Sequence, residues 1–417
     1  MSFLMVVKLT MTTNIVTKNN RGLIGTFALN KTEPIHRWYK YDEGYSSEFI
    51  VHEFEHLPIE VHTIFEPFAG SGTTPLVASQ FGIQSYFSEI NPFMVFVTKT
   101  KINTVKAAHQ KKEKIIDIIS KLKEDVLRNL EFEHFIGVSY DGFEKYYNRE
   151  VLAKLLAIKK LILDLNEPLA INISKVALAS IAVKVSNMIK RGDLRYAKEN
   201  EKKENDFDVQ LHFTRKLDEI IYDVNYHSES VLSDTCFVHA DARQAKLPSE
   251  VDCVITSPPY LNGTNYIRNT KLELKLLDFV KTEKDLPVLH SGGIMAGINS
   301  VSKRRNTPII VDEVKEYVEQ LEPIAYDKRI PIMVAGYFHD MDIVFNKLKK
   351  VIRNNGIFVL DIGDSQFAGV HIPTDEILTQ LAIKHGFRLY DEEVIRTRRS
   401  KNQMLLSQKV LRYQLIK

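Results

Sequence analysis

A chain of 417 residues with 44% hydrophobic and 26% charged residues has an ordinary globular composition and can bury a large core, as one big domain with insertions or as two. A net charge of only +3 excludes a uniformly basic nucleic-acid binder, although the basic residues are clustered and clusters matter more than the sum. Cys236 and Cys253 sit in apolar runs (TCFVH, VDCVIT) without metal-ligand spacing, the pattern of buried free thiols in a reducing cytoplasm.

No run near 18 apolar residues reads as a membrane span. The start, MSFLMVVKLTMTTN, is too short and too polar beyond Val7 for a secretory signal. An intracellular, cytoplasmic protein without membrane or metal partners is expected.

Residues 1 to about 60 hold several polar turns and one aromatic cluster, HRWYKYDEGYSSEFI, with the single tryptophan, Trp38. A strand is predicted near Val61 to Phe65, then a glycine turn, then a helix from near Gly72 to about Phe81. A second strand, Gln84 to Ser88, ends at Glu89. This βαβ-like unit is the building block of a parallel sheet. From about 94 to 190 apolar residues recur at three and four spacing, as in VKAAHQKKEKIIDIISKLKEDVLRNL, which predicts helices. Lys190 to Asp208, almost devoid of apolar residues, reads as an exposed, mobile loop.

Strand signals return at DTCFVHADA and VDCVITSPPY. A mixed region, 262–335, carries LNGTNY, HSGGIMAG and the basic patch SKRRN. The tail reads as a helix at DMDIVFNKLKKVIRNNG, a strand at IFVLDIGDS, a helix at PTDEILTQLAIKHG, and a terminal antiparallel pair, FRLYDEEVIRTR with QKVLRYQLIK. Together these predict an α/β sheet with helices on both faces and a long helical insertion.

Two turns carry chemistry. FEPFAGSGTT, Phe65 to Thr74, puts Gly70 and Gly72 between a strand and a helix start. There the backbone can turn sharply, approach a ligand and offer unpaired N–H groups. Glu89 closes the next strand, 17 positions after Gly72, where a carboxylate can accept both hydroxyls of a ribose. Pro75 occupies the third glycine position of a dinucleotide fingerprint, and no Gly-Lys-Ser/Thr follows, so the spacing points to another nucleoside-containing cofactor. A bare βα turn without a ligand is the alternative, weakened by that carboxylate.

The second turn is TSPPY. Strand 251–256 would deliver Ser257 to Tyr260 to the ligand-binding edge of an open parallel sheet. Pro258 and Pro259 fix the backbone and cannot donate hydrogen bonds. The Ser257 hydroxyl, the Pro258 carbonyl and the Tyr260 ring would form a slot for a planar ring bearing an amino group, such as a nucleobase taken out of its helix. A strand terminator with a packed tyrosine is the structural alternative.

FEPFAGSGTT and TSPPY together resemble the cofactor-binding and catalytic motifs of DNA amino-methyltransferases, which use S-adenosylmethionine. The family motif usually opens Asp-Pro-Phe, and Glu66-Pro67-Phe68 stands here. SEINP resembles the acidic ribose-holding segment, HADARQ the segment beside the adenine ring, and HRWYKYDEGYS the N-terminal segment over the methionine end. GYFHDM, NNGIFVLDIGDS and RTRRSKN follow the family's downstream pattern. The resemblance implies a Rossmann-like class I methyltransferase sheet built from 30–95 and 235–417. The helical insertion 96–234 and the region 262–335 then compete as target-recognition parts.

The resemblance also assigns residues. Cofactor binding falls to Trp38, Phe65, Glu66, Pro67, Phe68, Ala69, Gly70, Gly72, Thr73, Thr74, Glu89, Ile90, Asp241 and Ala242. Catalysis falls to Ser257, Pro258, Pro259 and Tyr260. Three basic groups offer phosphate contacts to double-stranded DNA: Lys190, Arg191 and Arg195; Lys303, Arg304 and Arg305; Arg398 and Arg399. In this family Ser-Pro-Pro-Tyr usually accompanies cytosine-N4 methylation, so that reaction is expected, with a cognate restriction endonuclease as possible partner. Adenine-N6 or RNA methylation and a catalytically dead, DNA-binding methyltransferase fold are the alternatives. Neither cysteine lies in a Pro-Cys turn, which disfavours ring-carbon chemistry.

Overall fold

The computed structural model describes residues 21–227, 233–261, 264–302, 305–400 and 402–417. The apolar runs become the strands β1 (Thr63–Glu66), β2 (Gln84–Ser88), β5 (Thr235–His239), β6 (Val251–Thr256) and β7 (Ile352–Gly363). With the long C-terminal strands β10 (Phe387–Arg399) and β11 (Leu405–Leu415) they form one seven-stranded sheet of order β10-β11-β7-β6-β1-β2-β5, while β8 (Ser365–Phe367) and β9 (Val370–Ile372) make a separate antiparallel pair. β7, β6, β1, β2 and β5 run parallel, whereas β11 is antiparallel to both β7 and β10. The strand order reverses between β1 and β6, which is the switch point of a doubly wound sheet. The central strands are buried along most of their length, as a sheet covered on both faces requires.

Helix α1 (Ser47–His56) precedes β1, and the glycine turn leads into helix α2 (Thr73–Gln80). Gly70 and Gly72 adopt φ of +50° and +84°, and a Cβ on either would come within 2.6 Å of Tyr41 or Thr98. Glycine is therefore required twice over, for backbone and for space. Helix α3 (Pro92–Arg128) starts inside SEINP, where the Asn91 side chain accepts from the Phe93 N–H and Pro92 occupies the first turn.

α3 runs 37 residues and packs with α4 (Arg149–Leu163), α5 (Pro168–Val185) and α6 (Val209–His227). Their buried face is one apolar cluster that continues through Leu76, Phe93 and Trp38 beside the sheet. α5 has the length and apolarity of a membrane-crossing helix, with a mean hydropathy of 1.5 and 56% of the window buried, a run the sequence reading passed over. Its near-uniform apolarity is explained by its place among α3, α4 and α6.

Three further expectations are corrected. Lys190 to Asp208 is not a structureless loop: β3 (Met188–Arg191) and β4 (Asp193–Tyr196) form an antiparallel hairpin turning at Gly192, whose φ is +74°. Leu194 is buried, and Phe207 packs against the same apolar cluster, so two side chains anchor a largely polar stretch. Cys236 is exposed while Cys253 is buried, because β5 is the last strand of the sheet and β6 a central one. The C-terminal helix preceding β7 spans Arg329–Val351, starting earlier than the sequence pattern suggests, and Asn354-Asn355-Gly356 belong to β7.

Candidate active site

β1 and β6 are hydrogen-bonded parallel neighbours, with Ile64 opposite Cys253 and Phe65 opposite Val254. Their carboxyl ends therefore deliver the glycine turn and the Ser-Pro-Pro-Tyr turn to the same edge, side by side. Glu66 joins them. Its buried carboxylate accepts from the Phe68 N–H at 2.9 Å and the Thr74 hydroxyl at 3.1 Å, and from the hydroxyls of Thr256 and Tyr45. Glycine turn, β6 and N-terminal segment thus meet on one side chain, and burial pushes the Glu66 carboxyl up to about 7. Lys101 adds a second tie. Its buried ammonium donates to the carbonyls of His36 and Ser71, and burial lowers it to about 7.

Two cavities open at this edge. The first, about 1070 Å³ including its open mouth, is lined by Pro67, Phe68, Ala69, Gly70 and Thr73 of the glycine turn, Glu89 and Ile90 after β2, and Asp241 and Ala242 after β5. Glu89 sits at its wall, held by the N–H groups of Gly70 and Asn91 at 2.8 Å each. Burial raises this carboxyl to about 7. Asp241 is braced by Arg243, with Nε to Oδ1 and Nη2 to Oδ2 both at 2.9 Å. The second cavity, about 880 Å³ on the same measure, is lined by Tyr260, Asp361, Gln408, Arg396 and Arg398, among others. Ser257, Thr264 and Tyr266 line both, so the catalytic turn stands at their junction, with Pro258 and Pro259 on the side of the first.

Tyr260 is half-buried, not sealed in the core. Its hydroxyl donates to Asp361 at 3.1 Å and accepts from Gln408 at 2.9 Å, while Gln408 also donates to Asp361 at 2.8 Å. A Cβ on Gly363 would come within 3.2 Å of the ring. Burial raises the Asp361 carboxyl to about 7, against hydrogen bonds from Gln408, Tyr260 and Ser257.

Other predicted positions lie elsewhere. Trp38 is fully buried, and its indole N–H donates to Asp223 of α6 at 2.9 Å. It lines neither of the two cavities. Tyr41, Glu43, Gly44 and Tyr45 of the same aromatic segment line the first cavity instead. Phe65 is a fully buried core residue, and Glu66, Gly72 and Thr74 shape the turn from behind without lining the cavity.

The basic groups divide in the same way. Lys190 pairs with Glu43 at 2.9 Å, Arg195 with Glu201 at 2.8 Å and Arg191 with Glu201 at 3.5 Å. Arg305 is largely buried against Asp340 at 2.8 Å. A guanidinium held this way is not free to meet a phosphate, so Arg305 is withdrawn as a DNA contact. Lys303 and Arg304 lie outside the described residues. Arg398 lines the second cavity; Arg399 does not, and donates to the Gln403 carbonyl at 3.1 Å.

Several contributors escaped the sequence reading. HSGGIMAG, assigned there to a target-recognition region, supplies His290, Gly292, Gly293 and Ile294 to the first cavity. It is fastened by Arg243 donating to the Gly292 carbonyl and by Asp340 accepting from the Met295 N–H, both at 2.9 Å. Asp361 and Gln408 had no local signal beyond their strands. Among the described residues no group of three or more His, Cys, Asp or Glu could hold a metal ion.

The doubly wound sheet, its C-terminal antiparallel pair and the paired cavities at the switch point define a Rossmann-like α/β fold with its candidate site at the carboxyl edge. No protein-family model matches the chain. It is 26% identical to the Type II methyltransferase M.AvaI of Nostoc sp., over 88% of this chain and 82% of that protein. It is 25% identical to M.BsoBI of Geobacillus stearothermophilus, covering 88% and 81%, and 22% identical to M.MvaI of Kocuria varians, covering 88% and 85%, both Type II methyltransferases. A solved rRNA methyltransferase, aviRa of Streptomyces viridochromogenes, aligns with a TM-score of 0.30 at 9% identity over 91% of this chain and 84% of its own. The likeness to Type II methyltransferases thus extends over most of the chain.

Proposed function

We propose that this chain is a site-specific DNA methyltransferase of a restriction–modification system, transferring a methyl group from S-adenosylmethionine to the N4 amino group of cytosine in double-stranded DNA. The observation that carries the reading is the position of Ser257-Pro258-Pro259-Tyr260 between two cavities, with nucleoside-type residues in one and an accessible aromatic ring in the other. Type II methyltransferase relatives across most of the chain support it. A cognate endonuclease is the natural partner of such an enzyme.

S-adenosylmethionine, when bound, supplies an electrophilic methyl group on a sulfonium. The first cavity suits it: Glu89 faces the space as an acceptor for ribose hydroxyls, and Asp241, Ala242, Ile90, Gly292 and Gly293 line the same cavity and would take the adenine. In the second cavity Tyr260 stacks on the extruded base. The Ser257 hydroxyl and the Pro258 carbonyl accept the two amino protons of the target. An exocyclic amine is a poor nucleophile because its lone pair is delocalised into the ring. Accepting both N–H bonds favours a tetrahedral nitrogen whose lone pair points at the junction, and the fixed turn supplies alignment.

The test is methyl transfer from labelled cofactor to DNA, followed by digestion to nucleosides and mass measurement. N4-methylcytosine is the expected product; N6-methyladenosine alone would overturn the base assignment, and no transfer together with no heat of cofactor binding would overturn the enzyme.

Glu89 yields a pH prediction. A carboxylate accepts two hydroxyls better than a carboxylic acid does, and this group titrates near 7. Cofactor affinity should therefore rise as pH increases from 6 to 8, roughly ten-fold if the charged form alone binds well. Calorimetry on Glu89→Gln should show weaker binding and a flattened profile. An unchanged profile would remove Glu89 from the ribose.

A further inference from the structure

From the second cavity we infer a phosphate clamp: Arg396 and Arg398 of β10 take the DNA backbone beside the extruded nucleotide. The inference rests on the DNA methyltransferase reading and adds to it the residues that hold the strand. β10 pairs with β11 in continuous register from Arg396 opposite Gln408 to Arg399 opposite Leu405. Side chains alternate across a strand, so Arg396 and Arg398 share one face and Thr397 and Arg399 the other. The shared face is the one that lines the cavity containing Tyr260. Arg396 lies directly across from Gln408, whose amide holds the Tyr260 hydroxyl.

Their lack of partners separates these arginines from the other candidates. Lys190, Arg191, Arg195 and Arg305 are each paired with a carboxylate. The carboxylates of the second cavity are also engaged elsewhere: Asp42 faces Lys31 and Lys40, Glu43 pairs with Lys190, and Asp361 accepts from Gln408 and Tyr260. Among the described residues, neither the Arg396 nor the Arg398 side chain has a hydrogen-bond or ion-pair partner, and both residues are exposed. Two unpaired guanidinium groups at the mouth of a cavity with an aromatic floor suit a polyanionic strand with one base turned inward. The competing explanation is that charge on an edge strand merely discourages aggregation. That role would fall equally on Arg399, which faces away from the cavity.

The experiment compares Arg396→Gln/Arg398→Gln with Arg399→Gln. Fluorescent duplexes are used in two forms, one carrying the site found by sequencing enzyme-methylated DNA and one with that site scrambled, each across a salt series. The double variant should weaken both duplexes alike, by about ten-fold or more, and lower the log–log salt slope by about 2. Arg399→Gln should leave both nearly unchanged, and calorimetric S-adenosylmethionine binding should persist in all three. Loss confined to the methylated site, equal loss in Arg399→Gln, or no loss would overturn the clamp. Wild-type protein that takes up the cofactor but binds neither duplex would overturn the DNA reading itself, and with it the clamp.

Discussion

Tyr260→Ala is expected to lower kcat/KM for methyl transfer about 10²-fold while leaving S-adenosylmethionine affinity unchanged. The ring lines the second cavity only, so its loss touches the base and not the cofactor. Base–aromatic stacking contributes about 1–3 kcal/mol, and each 1.4 kcal/mol is about ten-fold. The upper part of that range applies because the ring is pre-set: its hydroxyl is held by Asp361 and Gln408, and Gly363 leaves space for its edge. Tyr260→Phe keeps the stacking face and loses those hydrogen bonds, so about ten-fold or less is expected. Steady-state kinetics with labelled cofactor, beside calorimetry, distinguish the cases. A Tyr260→Ala enzyme with normal turnover and weakened cofactor binding would place the ring at the wrong cavity.

Asp223→Ala is expected to destabilise the fold by about 3 kcal/mol or more and to weaken cofactor binding although it lies outside both cavities. Asp223 on α6 is fully buried and accepts from the Ile35 N–H at 2.8 Å, Arg37 Nε at 3.1 Å, a second Arg37 nitrogen, and the Trp38 indole at 2.9 Å. Its removal leaves a partly buried guanidinium and two buried N–H donors without their acceptor. The same segment continues into Tyr41 and Tyr45, which line the first cavity, and Tyr45 also reaches Glu66. The helical insertion thus fastens the cover of the site. Denaturant unfolding of Asp223→Ala and Asp223→Asn, with calorimetry at a temperature where both are folded, checks this. An unchanged midpoint and cofactor affinity would show that α6 does not secure the segment.

Legibility followed the range of the interactions. Helix α2 begins one residue from the expected start and β2 has the predicted bounds, because glycine backbone freedom and short apolar runs act within a few residues. The mobile-loop reading of Lys190 to Asp208 failed because composition registers polarity but not one buried anchor, Leu194, or the turn at Gly192.

Charge was the least legible property. Arg305 and Arg398 look alike in a string of letters, yet one is locked to Asp340 and the other is open at a cavity. Trp38 and Tyr41, three positions apart, part in the same way: the first is drawn into the core by Asp223, 185 residues along the chain, and the second turns to the cavity. By itself the sequence determined the two turns and the strand ends that present them, since those depend on local backbone preference. Which side chains surround the turns, and which charges remain free, only the tertiary structure decided, because a partner far along the chain becomes a neighbour only once the sheet and helices have packed.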